Sequence, residues 1–340
     1  MVSNGKLDCA AKHIRMTNDL KSVIDDIELI SNWRSLHSVP LRAVLTLVRS
    51  KLKRKGFTDY VIGQRLKRMP SIITKIKRFE KMKVSRMQDV GGIRIIVPNI
   101  TDVYSVFNAI THTKSKHEVI IPAHDYIKEP KKDGYRSIHQ VFKYHNSKQP
   151  DYDGMRIEVQ IRTKLQHQWS TAVETLGVIN QASYKTGEGT EDEKRYFKIV
   201  SALFSMMEEQ PVLEEFRDWS KEALVQELKE LDKKLLVISK LSSVSTIFKR
   251  IKDDEKKSRY YVLVLKFTDG TKGFLNLTPF DKEEDAQDFY TMREIKYQNE
   301  KDKFVLMINS DSMKNIKKAY PNYFLDTQNF VKKLRKFIEN

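Results

Sequence analysis

The chain has one cysteine, Cys9, in 340 residues. A single thiol excludes an intrachain disulfide and a thiolate metal cluster. No apolar run approaches the ~20 residues that a membrane helix needs. The opening residues, MVSNGKLDCAAKHIRM, lack the apolar core of a secretion signal. No GxxxxGK[ST] sequence occurs, so a triphosphate is not held by a P-loop. No internal repeat or low-complexity tract is present. No membrane partner is expected, and the expected compartment is a reducing cytoplasm.

Positive charge is what the chain has in excess. Its 62 Lys/Arg against 45 Asp/Glu give a net charge of +17. Such a balance points to a polyanionic partner, nucleotide or nucleic acid. The charge is uneven: residues 51–94 hold 14 Lys/Arg against only Asp59, Glu80 and Asp89. A merely solubilising surface is the blander reading, and this clustering argues against it. With 40% apolar residues the chain has enough material for a core.

Residues 17–55 read as helices broken at Pro40. Pro70-Ser71 then opens a helix, with Ser71 as its cap. GIRIIV (92–97) reads as a buried strand ended by Pro98, followed by a helix with a Thr cap. HEVIIPAHDY, YRSIHQVFKY and MRIEVQIRT are further strands. KLQHQWSTAVETLG is a helix expected to stop at Gly177. Long helices follow, with a break at Pro211 and one helix running on from Val212. A polar connector is expected over 242–259. Beyond it come a hairpin with an Asp-Gly turn, a helix over 281–297, the strand KFVLMI, and helical segments around Pro321. The expected domains are 1–180, a helical extension over 181–245, and a small α+β module over 246–340.

Two acidic residues stand in strand-like runs, Asp89 before GGIRIIV and Glu158 in MRIEVQIRT. Both are hard oxygen ligands, suited to Mg²⁺ bound by one or two carboxylates and substrate phosphates. Glu158 alternates with Ile157, Val159 and Ile161, which places it on a polar strand face with Arg156, Gln160 and Arg162. Taken singly, each acid is more often an ordinary surface residue. Arg65, Lys67, Ser71 and Lys75 flank a helix start, where unpaired N–H groups favour phosphate. Their alternative is a solvated basic face. Between the acids lies the lysine-rich loop DYIKEPKKDGYRSIH, in which Tyr135 offers a surface for stacking on a base or packs on the core edge. His124-Asp125 has no accompanying histidine cluster, so metal-dependent phosphohydrolase chemistry is not expected.

Taken together, RLKRMPSIITK, DVGGIRIIV, DYIKEPKKDGYRSIH and IEVQIRT resemble the successive motifs of the RelA/SpoT synthetase family. The resemblance covers about residues 40–180. It implies an α+β fold, a nucleotidyltransferase-like mixed sheet flanked by helices. The implied activity is transfer of pyrophosphate from ATP to a ribose 3′-hydroxyl, with release of AMP. Carried over by position, Arg65, Lys67, Ser71, Lys75 and Arg94 bind ATP, and Arg65 and Arg94 sandwich its adenine. Asp89 and Glu158 are the catalytic, metal-holding pair. Tyr135 stacks on the acceptor base, near Lys128, Lys131, Arg136, His139 and Gln160.

The chain departs from small alarmone synthetases in having Asp133 before the Gly-Tyr pair, and in the helix that follows IRT. In these respects it resembles the growth-arresting members of the family. Its C-terminal segment resembles the fused-antitoxin arrangement of CapRel-like antiphage proteins. That resemblance implies a tRNA 3′ end as acceptor, and a C-terminal domain that restrains the enzyme until a phage or cellular protein binds. The alternative is alarmone synthesis on GDP or GTP. A reading of another class is a catalytically inactive RNA-binding module.

Overall fold

The computed structural model describes residues 3–17, 19–112, 114–179, 187–238, 258–268, 272–297, 303–309 and 327–339, with residues 182, 184, 241 and 300. The chain forms two units. The first comprises Met1–Ile95, Thr101–His124 and Ile138–Ile161, and the second Ile96–Ile100, Asp125–Ser137 and Arg162–Asn340.

The first unit opens with a helix the sequence reading did not anticipate, α1 (Asn4–Met16). Ser3 caps it by accepting from Lys6 N at 3.3 Å, and it buries Leu7, Ala10, Ala11 and Ile14. Helices α2 (Ile24–Leu36) and α3 (Ser38–Arg54) follow. The break between them falls at His37, not Pro40. Pro40 sits in the first turn of α3, where its missing N–H forfeits no helical bond. Strand β1 (Val61–Leu66) leads into α4 (Met69–Arg78). Here the cap expected at Ser71 is corrected. Arg68 occupies the N-cap position without a side-chain cap bond, Pro70 lies in the first turn, and Ser71 is already helical. Ile72 and Ile76 of α4 share a core with Leu7, Ile14 and Trp33.

Next come β2 (Gly91–Val97), α5 (Ile100–Thr111), β3 (Glu118–Asp125), β4 (Ile138–Lys143) and β5 (Arg156–Thr163). Helix α5 begins one residue before the threonine expected to cap it. The five strands form one mixed sheet in the order β1-β2-β5-β4-β3. Strands β4 and β5 run antiparallel, with His139 opposite Gln160 and Val141 opposite Glu158. Ile157, Val159 and Ile161 are buried, so the alternation read from the sequence holds through Ile161. It fails at Arg162, which is fully buried.

In the second unit α6 (Lys164–Ile179) runs through Gly177 instead of ending there. A capping box of Thr190 and Glu193 starts α7 (Glu191–Met207). The helix expected from Val212 begins only at Ser220, whose side chain caps α8 (Lys221–Leu235). Strands β6 (Tyr260–Thr268) and β7 (Lys272–Phe280) pair antiparallel, as expected of a hairpin, and β8 (Lys303–Asn309) pairs with the other edge of β6. Helix α9 (Glu283–Lys296) sets Ala286 and Tyr290 against Val262 and Val305. The C-terminal helix α10 (Thr327–Glu339) buries Phe330, Val331 and Leu334 in the core formed by α6, α7 and α8. The turn between β6 and β7, most of the 242–259 connector and the stretch around residue 321 lie outside the described residues.

Candidate active site

Asp89 lies just before β2 and outside any strand, and two lysines reach it. Lys67 Nζ donates to Oδ2 and Lys75 Nζ to Oδ1, each at 2.9 Å. Local folding brings the three together. Lys67 follows β1, and its backbone N–H bonds Val90 O at 2.7 Å, which ties the exit of β1 to the entry of β2. Buried Arg34 on α2 donates to Lys67 O at 3.3 Å. Lys75 lies one turn beyond Ser71 on α4, the spacing that puts residues on one helix face.

Burial pushes the Asp89 carboxyl upward, but the Lys67 and Lys75 ammonium groups outweigh it and hold the pKa at about 2. Burial also lowers Lys67, against the attraction of Asp89. A carboxyl depressed in the folded chain stabilises the fold above its unfolded pKa, and that contribution is lost as pH falls through the folded value. From 3.8 to about 2, the shift corresponds to about 2 kcal/mol. The stability difference between wild type and Asp89→Asn, measured by urea unfolding in the absence of metal, is therefore expected to be full at about pH 5 and mostly gone by about pH 2.5.

Glu158, in the middle of β5, is gripped on both oxygens. His139 Nδ1 lies 2.9 Å from Oε1, and Gln160 Nε2 donates to Oε2 at 2.6 Å. His139 is the diagonal cross-strand neighbour of Glu158, a consequence of the β4–β5 register. Only 13% of the Glu158 side chain is exposed. Burial pushes this carboxyl up, as does the negative charge of Asp89. The charge and hydrogen bond of His139, with the bond from Gln160, prevail and hold it below its usual range. Glu158 is thus ionised at neutral pH, and the two carboxylates feel one another's field.

Arg65 and Arg94 stand half-buried on the adjacent strands β1 and β2, and Ser71 is half-buried in the first turn of α4. Among the described residues no group of three or more His, Cys, Asp or Glu could hold a metal by itself. Two coupled carboxylates do suit Mg²⁺, whose remaining ligands are ordinarily water and substrate phosphate.

The second unit contains the loop 125–137. Gly134 has φ +90°, a left-handed conformation. Its N–H bonds Lys131 O at 2.8 Å, and Asp133 Oδ1 accepts from Tyr135 N at 2.9 Å. Lys131 Nζ lies 4.3 Å from the Tyr126 ring centre and 5.1 Å from that of Tyr135. Lys128 is exposed. Asp125 of the His124-Asp125 pair accepts from Ile127 N and Lys128 N, a turn-forming arrangement. Arg136 points inward: it is buried, donates to Ile127 O at 3.3 Å, and is lowered to about 10 by burial against the pull of Glu208.

The structure therefore groups Lys67 and Lys75 with Asp89, and His139 and Gln160 with Glu158, in the first unit. Lys131 and Tyr135 gather with Tyr126 in the second. Sequence reasoning passed over Arg34 and Tyr126. Arg34 carries no signal beyond one cation in a helical stretch. Tyr126 stands in the quoted loop, but nothing in its spacing sets it beside Lys131.

Asp89 between two lysines, and Glu158 between His139 and Gln160, mark the candidate site. Residues 64–189 match the model of the region found in RelA/SpoT proteins, and the chain carries that region. It is 30% identical over 133 residues to the probable GTP diphosphokinase RSH3 of Arabidopsis thaliana, a match over 39% of this chain and 17% of that one. It is 31% identical over 113 residues to the GTP pyrophosphokinase YwaC of Bacillus subtilis, a match over 32% of this chain and 52% of that one. The chain thus spans between about a sixth and a half of these curated relatives. The small alarmone synthetase 2 of Bacillus subtilis is a similar solved structure, with TM-score 0.45, 22% identity, and coverage of 53% of this chain and 94% of that one.

Proposed function

We propose that the chain transfers pyrophosphate from ATP to the ribose 3′-hydroxyl of a guanine nucleotide, GDP or GTP. The acceptor oxygen bonds to the β-phosphorus of ATP, the bond from that phosphorus to the α,β-bridging oxygen breaks, and AMP leaves. The observation that carries the reading is the ionised Glu158, clamped by His139 and Gln160 within the field of Asp89. The names of the relatives, GTP diphosphokinase and GTP pyrophosphokinase, support the choice of acceptor.

Mg²⁺ held by Asp89 and Glu158 would supply charge neutralisation on the transferred phosphates. The protein's own groups do the rest. Lys67 and Lys75, which share Asp89 as their partner, turn to phosphate oxygens when ATP arrives. Ser71 adds a hydroxyl beside them, and Arg65 and Arg94 hold the adenine by stacking. Glu158 accepts the hydrogen bond of the acceptor hydroxyl, with His139 and Gln160 fixing its orientation. Tyr135 stacks on the acceptor base, and Lys128 and Lys131 offer charge to its phosphates. Transfer of this kind depends on alignment and neutralisation more than on covalent catalysis.

A second reading places the 3′ end of tRNA as acceptor, in a growth-arresting enzyme restrained by residues 246–340. The cluster of 14 Lys/Arg within residues 51–94 favours it, since a macromolecular polyanion profits from a wide positive field. Incubation with γ-labelled ATP and, separately, GDP, GTP and deacylated tRNA decides between them. Label on the guanine nucleotides is expected. Label on tRNA alone establishes tRNA as the acceptor, and no label on any acceptor refutes the guanine-nucleotide reading.

A further inference from the structure

Helix α7 lies beyond residue 189, where the RelA/SpoT match ends, yet one of its side chains reaches into the loop that carries Tyr135. Ser201 is 2% exposed. Its Oγ donates to Gly134 O at 2.6 Å and accepts from Arg136 Nε at 3.1 Å. The two bonds therefore bracket Tyr135 from its two chain neighbours. The fit is also steric. A Cβ on Gly134 would come within 2.9 Å of Ser201 Cβ, so the loop backbone lies directly on the small serine. All these residues belong to the second unit.

We propose that Ser201 is a positioning residue that sets the pose of Tyr135 toward the acceptor base. The proposal rests on the reading that Tyr135 stacks on the acceptor. A hydroxyl is suited to the task because one atom both donates and accepts. Gly134 O and Arg136 Nε are thereby satisfied with opposite polarity at one buried point. Alanine leaves a buried carbonyl and a buried guanidinium N–H without that partner, and both groups must move to find another. Movement of either turns the residue between them. Arg136 is held elsewhere only through Ile127 O among the bonds described for it, so loss of Ser201 transmits directly to the segment.

The test compares the full-length wild type, Ser201→Ala and Ser201→Cys with saturating ATP and varied GTP, then the reverse. Ser201→Ala is expected to raise the acceptor KM roughly tenfold, the scale of one lost buried hydrogen bond, with the KM for ATP within about twofold of wild type. Ser201→Cys keeps the shape with a weaker donor and is expected to fall between the two; it carries the comparison if the alanine variant does not fold. An unchanged acceptor KM overturns the proposal, as does a parallel loss for both substrates or in kcat alone. Absence of transfer by the wild type to every acceptor is a different failure, that of the pyrophosphotransfer reading, and removes the proposal with it.

Discussion

Glu158→Gln is expected to lower pyrophosphate transfer by roughly 10³-fold, the upper end of the loss seen when one preorganised polar group at a reacting centre is removed. The substitution preserves shape and keeps a carbonyl oxygen for the bond from Gln160. It removes the negative charge that His139 pairs with and that, on the proposed function, the acceptor hydroxyl and a metal would need. Because Glu158 is held below the usual carboxylate range, it is fully charged in the native enzyme at neutral pH, and the whole of that charge is lost in the variant. Asp89→Asn is expected to fall as far by a different route. Lys67 and Lys75 lose their shared partner, and the Lys67 ammonium, already lowered by burial, becomes harder to keep charged. Steady-state transfer rates, with circular dichroism to confirm folding, check both. A residual rate within about tenfold of wild type for either variant would remove that carboxylate from the chemistry.

The second large effect is expected at Gly134. Alanine there faces a left-handed backbone, which costs about 1–2 kcal/mol. Its Cβ would also meet Ser201 Cβ at 2.9 Å, Ser201 Oγ at 3.2 Å and Trp169 Cζ2 at 3.3 Å. Gly154 is the internal comparison, since it has φ +78° with nothing within 4 Å of the added carbon. Gly154→Ala is expected to show the conformational cost alone, and Gly134→Ala that cost plus about 1–3 kcal/mol of overpacking. Urea unfolding of the two variants measures the difference. On the proposed function, Gly134→Ala also weakens acceptor binding because Tyr135 is the next residue. Equal destabilisation at the two sites would show that the Gly134–Ser201 contact relaxes without cost.

The strands that hold the site were readable for a simple reason. β2 and β5 are rich in Ile and Val, and β5 alternates through Ile161, so burial and chemistry separate by parity. β1 escaped the sequence reading because all six of its residues are half-buried, giving neither alternation nor an apolar run. α1 escaped because half of its buried face, Ala10 and Ala11, is alanine, which carries little apolar signal. The spacing of Ser71 and Lys75 placed them on one helix face, but nothing in it paired Lys75 with Asp89. That pairing depends on how α4 packs beside the entry of β2. Likewise the clamp on Glu158 follows from the register of β4 against β5, and a one-residue slip would turn His139 away. The resemblance to RelA/SpoT synthetases implies that Arg136 lies near the acceptor. Only the fold shows it buried against Ile127 O and Ser201.

In the proposed reaction pyrophosphate, and not a single phosphate, is removed from ATP. Following α-labelled ATP with GTP as acceptor, and identifying the labelled adenine product, distinguishes the two. AMP formed in step with consumption of the acceptor is the predicted result, and it is expected to disappear in Glu158→Gln. Labelled ADP in its place, or AMP that accumulates equally without acceptor, would contradict the account.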